Sequence, residues 1–378
     1  MKHKKTLATI LMASALIVSC GRGNAPKLIP AENFADTVDG KAVALYTLKA
    51  GDVTLQVTNF GGRVVSIFTP DKNGVKEDIV VGYNNIKDYV TPPGERFYGA
   101  CVGPVANRIG KASFIIGDST YHVPANDNSV NTLHGGYKGL DNVVWDVMSV
   151  NDSSIVFHFL HPDGMEGYPG NLNITMTYSV DCQNEFKIVY SAVTDKATPV
   201  NLSNHPFFCL RGEGIGSVED YIMHVKASHY IPIDSLSIPT GEIADVTGTP
   251  FDFRSAHAIG DMIAEDNEQL KNAHGYDHNW CIDRVSEGVE IACSVYDPES
   301  GREVDVYTDQ PGIQIYSGNF FKGDHCGKYG RPIGFRSCIA LETQHYPDSP
   351  NNPQFPSVLL NPGETYHHTC IYKFSIHE

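Results

Sequence analysis

Six short stretches place chemically capable side chains inside apolar or glycine-rich surroundings. In "CIALETQHYPD" an apolar run, Cys338 to Leu341, ends on Glu342 just before a turn. "NLSNHPFF" sets His205 between Asn204 and Pro206. "VGPVANRIG" carries Asn107 and Arg108, "NTLHGG" carries His134, and "GYDHNW" carries Asp277. "QPGIQIYSGNFF" carries Gln314, with Tyr316 and two phenylalanines close by. An ionised Glu is seldom buried without a partner. Glu342 is therefore either a rim carboxylate facing water or a carboxylate held at a pocket mouth to move protons. Taken singly, the others have simple explanations: Arg108 in a surface ion pair, His134 opening a turn, His205 as a satisfied core histidine, Asp277 closing an Asx-turn. Taken together they are the set that a neutral sugar requires. Asn, Gln, Asp and Arg match hydroxyls that both donate and accept, and aromatic rings lie against C–H faces. Glu342 adds a base and His205 an acid.

Strands must position these groups. Alternation of period two recurs: Val53, Leu55 and Val57 share a face, as do Leu172, Ile174, Met176, Tyr178 and Val180, and again Val289, Ile291, Cys293 and Val295. That is the pattern of half-buried antiparallel strands. The 35 Gly and 22 Pro residues punctuate the runs as turns require. One helical stretch is expected, "AHAIGDMIAEDNEQLKNA", with Ile259, Met262, Ile263 and Leu270 at helical spacing. The expected fold is all-β, a single large antiparallel β-sandwich over residues 41–378 with few short helices.

The chain has 378 residues, 41% of them hydrophobic and 19% charged, and a formal net charge of −16. This is a globular composition, and it argues against a nucleic-acid surface, which needs clustered Lys and Arg. Residues 1–20, "MKHKKTLATILMASALIVSC", read as a secretory signal: three lysines, then an apolar run from about Leu7 to Val18. The run is shorter than the roughly 20 apolar residues of a spanning helix. Its end, Ile17-Val18-Ser19-Cys20, resembles a bacterial lipobox, with Cys20 as the lipidated first mature residue. Residues 21–40 read as a polar tether. The expected location is the bacterial envelope, with the protein lipid-anchored to the outer membrane and facing the periplasm. Membrane contact would come only through that N-terminal lipid. A monomer is expected. The other eight cysteines are scattered without any C-x-x-C, so few or no disulfides and no zinc site are expected.

The six stretches, in this order, resemble the aldose 1-epimerase (galactose mutarotase) family from about Tyr46 to Phe374. The family's Asn-Arg pair falls at Asn107-Arg108 and its Leu-His-Gly-Gly at Leu133–Gly136. Its Asn-His falls at Asn204-His205, its Tyr-Asp-His at Tyr276–His278, and its Pro-Gly-x-Gln at Pro311–Gln314. Its Glu-x-Gln-x-x-Pro-Asp falls at Glu342–Asp348. One departure is plain. The family usually reads Asn-His-(Ser/Thr)-Tyr-Phe-Asn-Leu, whereas this chain has Asn-His-Pro-Phe-Phe-Cys-Leu, so Phe207 removes a hydroxyl and Cys209 an amide. The resemblance implies a galactose mutarotase-like supersandwich and interconversion of α and β anomers of free aldohexoses. Glu342 would take the proton of the C1 hydroxyl, and protonated His205 would give one to the ring oxygen. Arg108 and His134 would stabilise developing charge, while Asp277, Gln314, Asn107 and Phe207 would contact the sugar. Neither a metal nor an organic cofactor is needed. The acidic composition leaves room for a structural calcium ion, although no loop spells one. Unperturbed values of about 4.3 for Glu and 6.5 for His bound a narrow working pH window, which contact between opposite charges should widen and burial should narrow. Other readings stay open: a hexose-6-phosphate 1-epimerase, which needs a basic phosphate clamp; a non-catalytic sugar-binding lipoprotein; and a glycosidase using Glu342 and Asp277.

Overall fold

The computed structural model describes residues 26–377. The expected signal sequence and Cys20 lie outside the described residues. Three antiparallel sheets hold most of the strand residues. The largest has nine strands in the order Asp146–Val150, Ser154–His161, Leu172–Val180, Glu185–Thr194, Tyr366–Ile376, Arg302–Thr308, Glu290–Tyr296, Ile222–Val225 and His257–Ala258. A six-stranded sheet runs Phe207–Phe208, Ile339–Gln344, Gly312–Tyr316, Asp277–Cys281, His229–Ile231 and Ala244–Asp245. A four-stranded meander is built from Leu45–Ala50, Val53–Thr58, Arg63–Pro70 and Lys76–Asp78. One apolar core joins all three. It holds Leu55 and Val57 of the meander, Tyr178, Ile188 and Tyr372 of the large sheet, and Ile313, Ile315 and Leu341 of the six-stranded sheet. The fold is an all-β sandwich, as expected.

Alternation is clearest in Leu172–Val180, where Leu172, Ile174, Met176, Tyr178 and Val180 are all buried and the residues between them reach solvent. In Val53–Thr58 every residue is buried, polar ones included. The reason is a second cover. Gln56 exchanges two hydrogen bonds with the backbone of Ile29, at 2.9 and 3.0 Å. Ile29 and Phe34 are themselves buried, and a 3-10 turn, Ala31–Phe34, leads into the paired strands Asp36–Val38 and Lys41–Val43. The expected tether over residues 21–40 is thus corrected: from Ile29 onward the segment is docked, because two apolar side chains in a polar-looking stretch find a groove.

Two local expectations also change. The run Glu290–Tyr296 shifts register between Ile291 and Cys293, so Cys293 and Val295 are buried while Val289 is exposed. The single expected helix is broken into a 3-10 turn, Ile259–Asp261, and a short α-helix, Glu268–Ala273. Asn267 starts that helix afresh, its side chain accepting from the backbone N–H of Gln269 and Leu270. A helix not foreseen, Ile86–Val90, is capped in the same way by Asn85. The eight cysteines within the described residues are free, and six of them are buried.

Candidate active site

Strand register brings four of the six stretches onto one face. In Ile339–Gln344 every residue is buried. Ile339 and Leu341 point into the main core, so Ala340 and Glu342 point the other way. Gln314 pairs with Glu342, Tyr316 pairs with both Ala340 and Asp277, and Phe207 pairs with Ala340. Directly paired residues share a face. Phe207, Tyr316, Gln314, Asp277 and Glu342 therefore line up on the side away from the main core. The backbone on both sides of Glu342 is pinned: the Tyr372 hydroxyl donates to Leu341 O at 2.8 Å and the Ser203 hydroxyl to Thr343 O at 2.9 Å. A carboxylate on so rigid a strand has a fixed position. His205 ends the neighbouring strand Ser203–His205, which pairs with Ala100–Val102.

Loops supply the rest. Asn107 and His134 both have left-handed backbones, with φ of 60° and 50°, a conformation in which Asn and His are enriched among non-glycine residues. They clasp each other. His134 N donates to Asn107 O at 2.9 Å, and Asn107 N donates to His134 Nδ1 at 3.1 Å. Gly135 follows because its backbone lies against Gly103 O, where a Cβ would collide. The clasp has a chemical consequence. Nδ1 of His134 is an acceptor, so the neutral ring carries its proton on Nε2.

These elements enclose a cavity of about 150 Å³, below the roughly 300–1,000 Å³ of pockets for drug-sized ligands and on the scale of one sugar ring. Asn107, Arg108, His134, His205, Phe207, Asp277 and Glu342 all line it. Nε2 of His205 is 3.3 Å from Oε1 of Glu342. The His205 ring stacks on Phe207, 4.6 Å between centroids, and meets His134 edge-on at 5.3 Å. Arg108 donates Nε–H to Asp127 at 2.9 Å. Gln314 differs from expectation. It donates to Asp277 Oδ1 at 2.7 Å and does not itself line the cavity; it orients the carboxylate that does.

Burial dominates the electrostatics. It pushes Glu342 well above the ordinary carboxyl range, with Asp277 adding to the rise and Arg108 opposing it. It pushes His205 down to about 3 and His134 well below an ordinary histidine. Asp277 is raised for the same reason, against Arg108 and Gln314. Burial therefore drives the His205–Glu342 pair toward its neutral form, with the proton on Glu342, the reverse of the expected starting assignment. Removing water from around a charge disfavours the ionised form of both groups, while their 3.3 Å contact favours it. His134, His205 and Glu342 also bring three ligand-type atoms within 4.8 Å of one another. A metal there would need the lone pair of His134 Nε2, which the clasp to Asn107 keeps protonated. The cluster is built to donate and exchange protons.

Sequence reasoning missed Glu95 and Phe97, and it noted Tyr316 and Phe320 only as neighbours of Gln314; all four line the cavity. Tyr316 could have been found by extending the strand alternation from Gln314, whereas Phe320 lies beyond the strand end, after the left-handed Gly318. Glu95 and Phe97 lie on a Pro- and Gly-rich loop, Pro92–Gly94 onward, which carries no periodic signal. A larger cavity, about 490 Å³, lies elsewhere, beside Lys76 and Tyr329. Its buried acid, Asp78, is already bonded to Lys328 and the Tyr329 hydroxyl, so no acid–base pair faces it.

The profile of the aldose 1-epimerase family matches residues 44–373. A galactose mutarotase of Rattus norvegicus is 39% identical over 337 residues, which are 89% of this chain and 95% of the rat protein. An aldose 1-epimerase of Escherichia coli K12 is 34% identical over 340 residues, 89% of this chain and 96% of its own. Among solved structures, a GalM/aldose epimerase homologue from C. elegans superposes with a TM-score of 0.82 at 28% identity, covering 89% of this chain and all of that one. Fold, register and sequence agree, and the chain belongs to the aldose 1-epimerase family.

Proposed function

We propose that this aldose 1-epimerase interconverts the α and β anomers of free aldohexoses such as glucose and galactose by acid–base ring opening at the His205–Glu342 pair. The observation that carries this reading is the 3.3 Å approach of His205 Nε2 to Glu342 Oε1 on the wall of a small cavity. Ring opening removes a proton from the C1 hydroxyl and adds one to the ring oxygen. Ionised Glu342 takes the first and protonated His205 gives the second. Opening leaves Glu342 protonated and His205 neutral. That is the state which burial favours in the structure. Ring closure on either face of the aldehyde then runs the two transfers backwards, with Glu342 as acid and His205 as base. Both working states hold one proton between the two groups, and each positioned group contributes about 10²–10⁴-fold. To begin opening, the proton must move from Glu342 to His205. Arg108, which favours the Glu342 carboxylate, and a sugar hydroxyl donating to it both assist that move. His134, fixed as a donor through Nε2, and Arg108 stabilise charge on the sugar oxygens. Asp277, oriented by Gln314, and Asn107 hold other hydroxyls.

The chemistry is two proton transfers and requires no cofactor. Arg108 is the one cation lining the cavity, and it is tied to Asp127. The nearby Arg96 is bound by Asp141 through two bonds of 2.7 and 2.9 Å. This supports unphosphorylated sugars over their 6-phosphates. Export with a lipid on Cys20 is proposed on the lysine-led apolar run and Ile17–Cys20; no helix among the described residues is long and apolar enough to cross a membrane. Polarimetry of freshly dissolved α-glucose and α-galactose tests the activity: the purified protein should speed the approach to the equilibrium rotation. A rate equal to that of buffer alone rejects the reading.

A further inference from the structure

The cavity has a carboxyl group that none of the six motifs contains. Glu95 lines it from the loop after the helix Ile86–Val90, whereas Asp277 and Glu342 come from the six-stranded sheet. The Glu95 loop is held at successive residues. The Tyr83 hydroxyl donates to Glu95 O at 3.0 Å, and Arg63 donates to Arg96 O and Tyr98 O at 2.9 and 3.0 Å. Arg63 is itself 1% exposed and lies 3.5 Å from Asp141, the same acid that grips the Arg96 side chain. The side chain of Glu95 is thereby aimed. Its Oε1 accepts from Phe97 N at 2.8 Å, which sets the Phe97 ring against His134, 4.7 Å between centroids. Oε2 forms no hydrogen bond among the described residues. A half-buried carboxyl oxygen on a pinned loop, facing a cavity suited to a polyol, calls for a hydroxyl donor.

We infer that Glu95 is a further substrate-binding group of this site, whose Oε2 accepts one ring hydroxyl other than the anomeric one. This rests on the sugar reading of the cavity. It gives the sugar a contact from a wall other than the sheet that carries Asp277. Glu95 bonds neither member of the proton pair and reaches Glu342 only through its charge, so its loss falls mainly on binding.

The test compares Glu95→Ala and Glu95→Gln with wild type by polarimetry over glucose and its 2-, 3-, 4- and 6-deoxy analogues. Glu95→Ala should raise KM for glucose about tenfold or more, with kcat within about threefold, the pattern of lost uniform binding. Glu95→Gln, which keeps an acceptor, should lie between. One deoxy sugar should be poor for wild type yet no worse than glucose for Glu95→Ala. A KM within about twofold of wild type for both variants overturns the inference, since a lost charged hydrogen bond costs more than that. A shifted alkaline limb at constant KM overturns it too, because Glu95 would then act only through its charge on Glu342. Calorimetric binding of glucose separates the two readings. A wild type that binds glucose without speeding mutarotation rejects the activity and leaves the affinity of Glu95→Ala to judge Glu95. A wild type that binds no sugar rejects both.

Discussion

Replacing Glu342 by Gln removes the proton carrier and preserves its shape. Glu342 is 2% exposed, its flanking backbone is pinned by Tyr372 and Ser203, and it faces no buried cation that would be left unpaired. Activity should fall by about 10²–10⁴-fold, the worth of a positioned general base, or roughly 2.7–5.5 kcal/mol of barrier at 1.36 kcal/mol per decade. Stability should move the other way. The folded carboxyl holds its proton above the pH at which the unfolded one ionises. Wild type therefore loses about 1.4 kcal/mol of stability for each pH unit between those two values. Gln has no proton to hold, so Glu342→Gln escapes that loss. Its melting temperature should match wild type near pH 4 and exceed it at pH 7 to 8. Polarimetry with α-galactose and a melting series across pH read both effects. A variant within about threefold of wild-type kcat, against the 10²-fold minimum for a general base, refutes the assignment of Glu342. A variant less stable than wild type at every pH refutes the claim that the buried carboxyl is held neutral.

The activity profile should show no acid limb between pH 4 and 6.5. His205, at about 3, takes its extra proton only below that range. Activity should fall on the alkaline side, where Glu342 finally ionises and the pair has lost its last shared proton. An acid limb near 6.5 in kcat would show that His205 titrates as an ordinary histidine. Free glucose should be preferred over glucose 6-phosphate, and a higher kcat/KM for the phosphate counts against a cavity whose arginines are already paired. Cys20→Ser should shift the protein out of the membrane fraction, whereas unchanged fractionation speaks against the lipid anchor. Buried histidines should each take stability from the fold as pH falls from 7 to 5, opposing the gain from the raised carboxyl of Glu342. His161 and His278 are buried and His345 half-buried, and burial pushes them down to about 4, 3 and 4. Each is neutral in the fold while its unfolded counterpart gains a proton below about 6.5, a cost of at most about 2 kcal/mol per group at pH 5. A His278→Gln variant whose melting temperature, relative to wild type, does not rise between pH 7 and pH 5 would contradict the neutrality of His278.

Burial revises the expected window for the proton pair. Modest desolvation, by bringing the two values together, narrows the range in which the pair holds one proton. Here it carries them past each other, with Glu342 above and His205 below, and the range widens again with the proton on the other partner. No reading of residue types could supply that, because desolvation depends on what the whole fold packs around the pair.

Sequence by itself determined what is local and periodic. Alternation in Leu172–Val180 follows from a strand with one face on the core. The chemistry of Glu342, His205, Asp277 and Arg108 follows from residue type, and their order along the chain carries the family. Periodicity misled where a second layer or an extra residue intervened, as at Val53–Thr58 beneath the Ile29–Phe34 segment and at the bulge after Ile291. Only the tertiary structure decided which groups meet. Register set Gln314 beside Glu342 and turned it toward Asp277 rather than the cavity. The Asn107–His134 clasp chose a tautomer across 27 residues of chain. Glu95 and Phe97, without pattern in the sequence, reached the site because Arg63, Tyr83 and Asp141 hold their loop against it. Contacts of this kind are long-range hydrogen bonds between groups whose separation along the chain says nothing of their distance in space, so packing alone could bring them together.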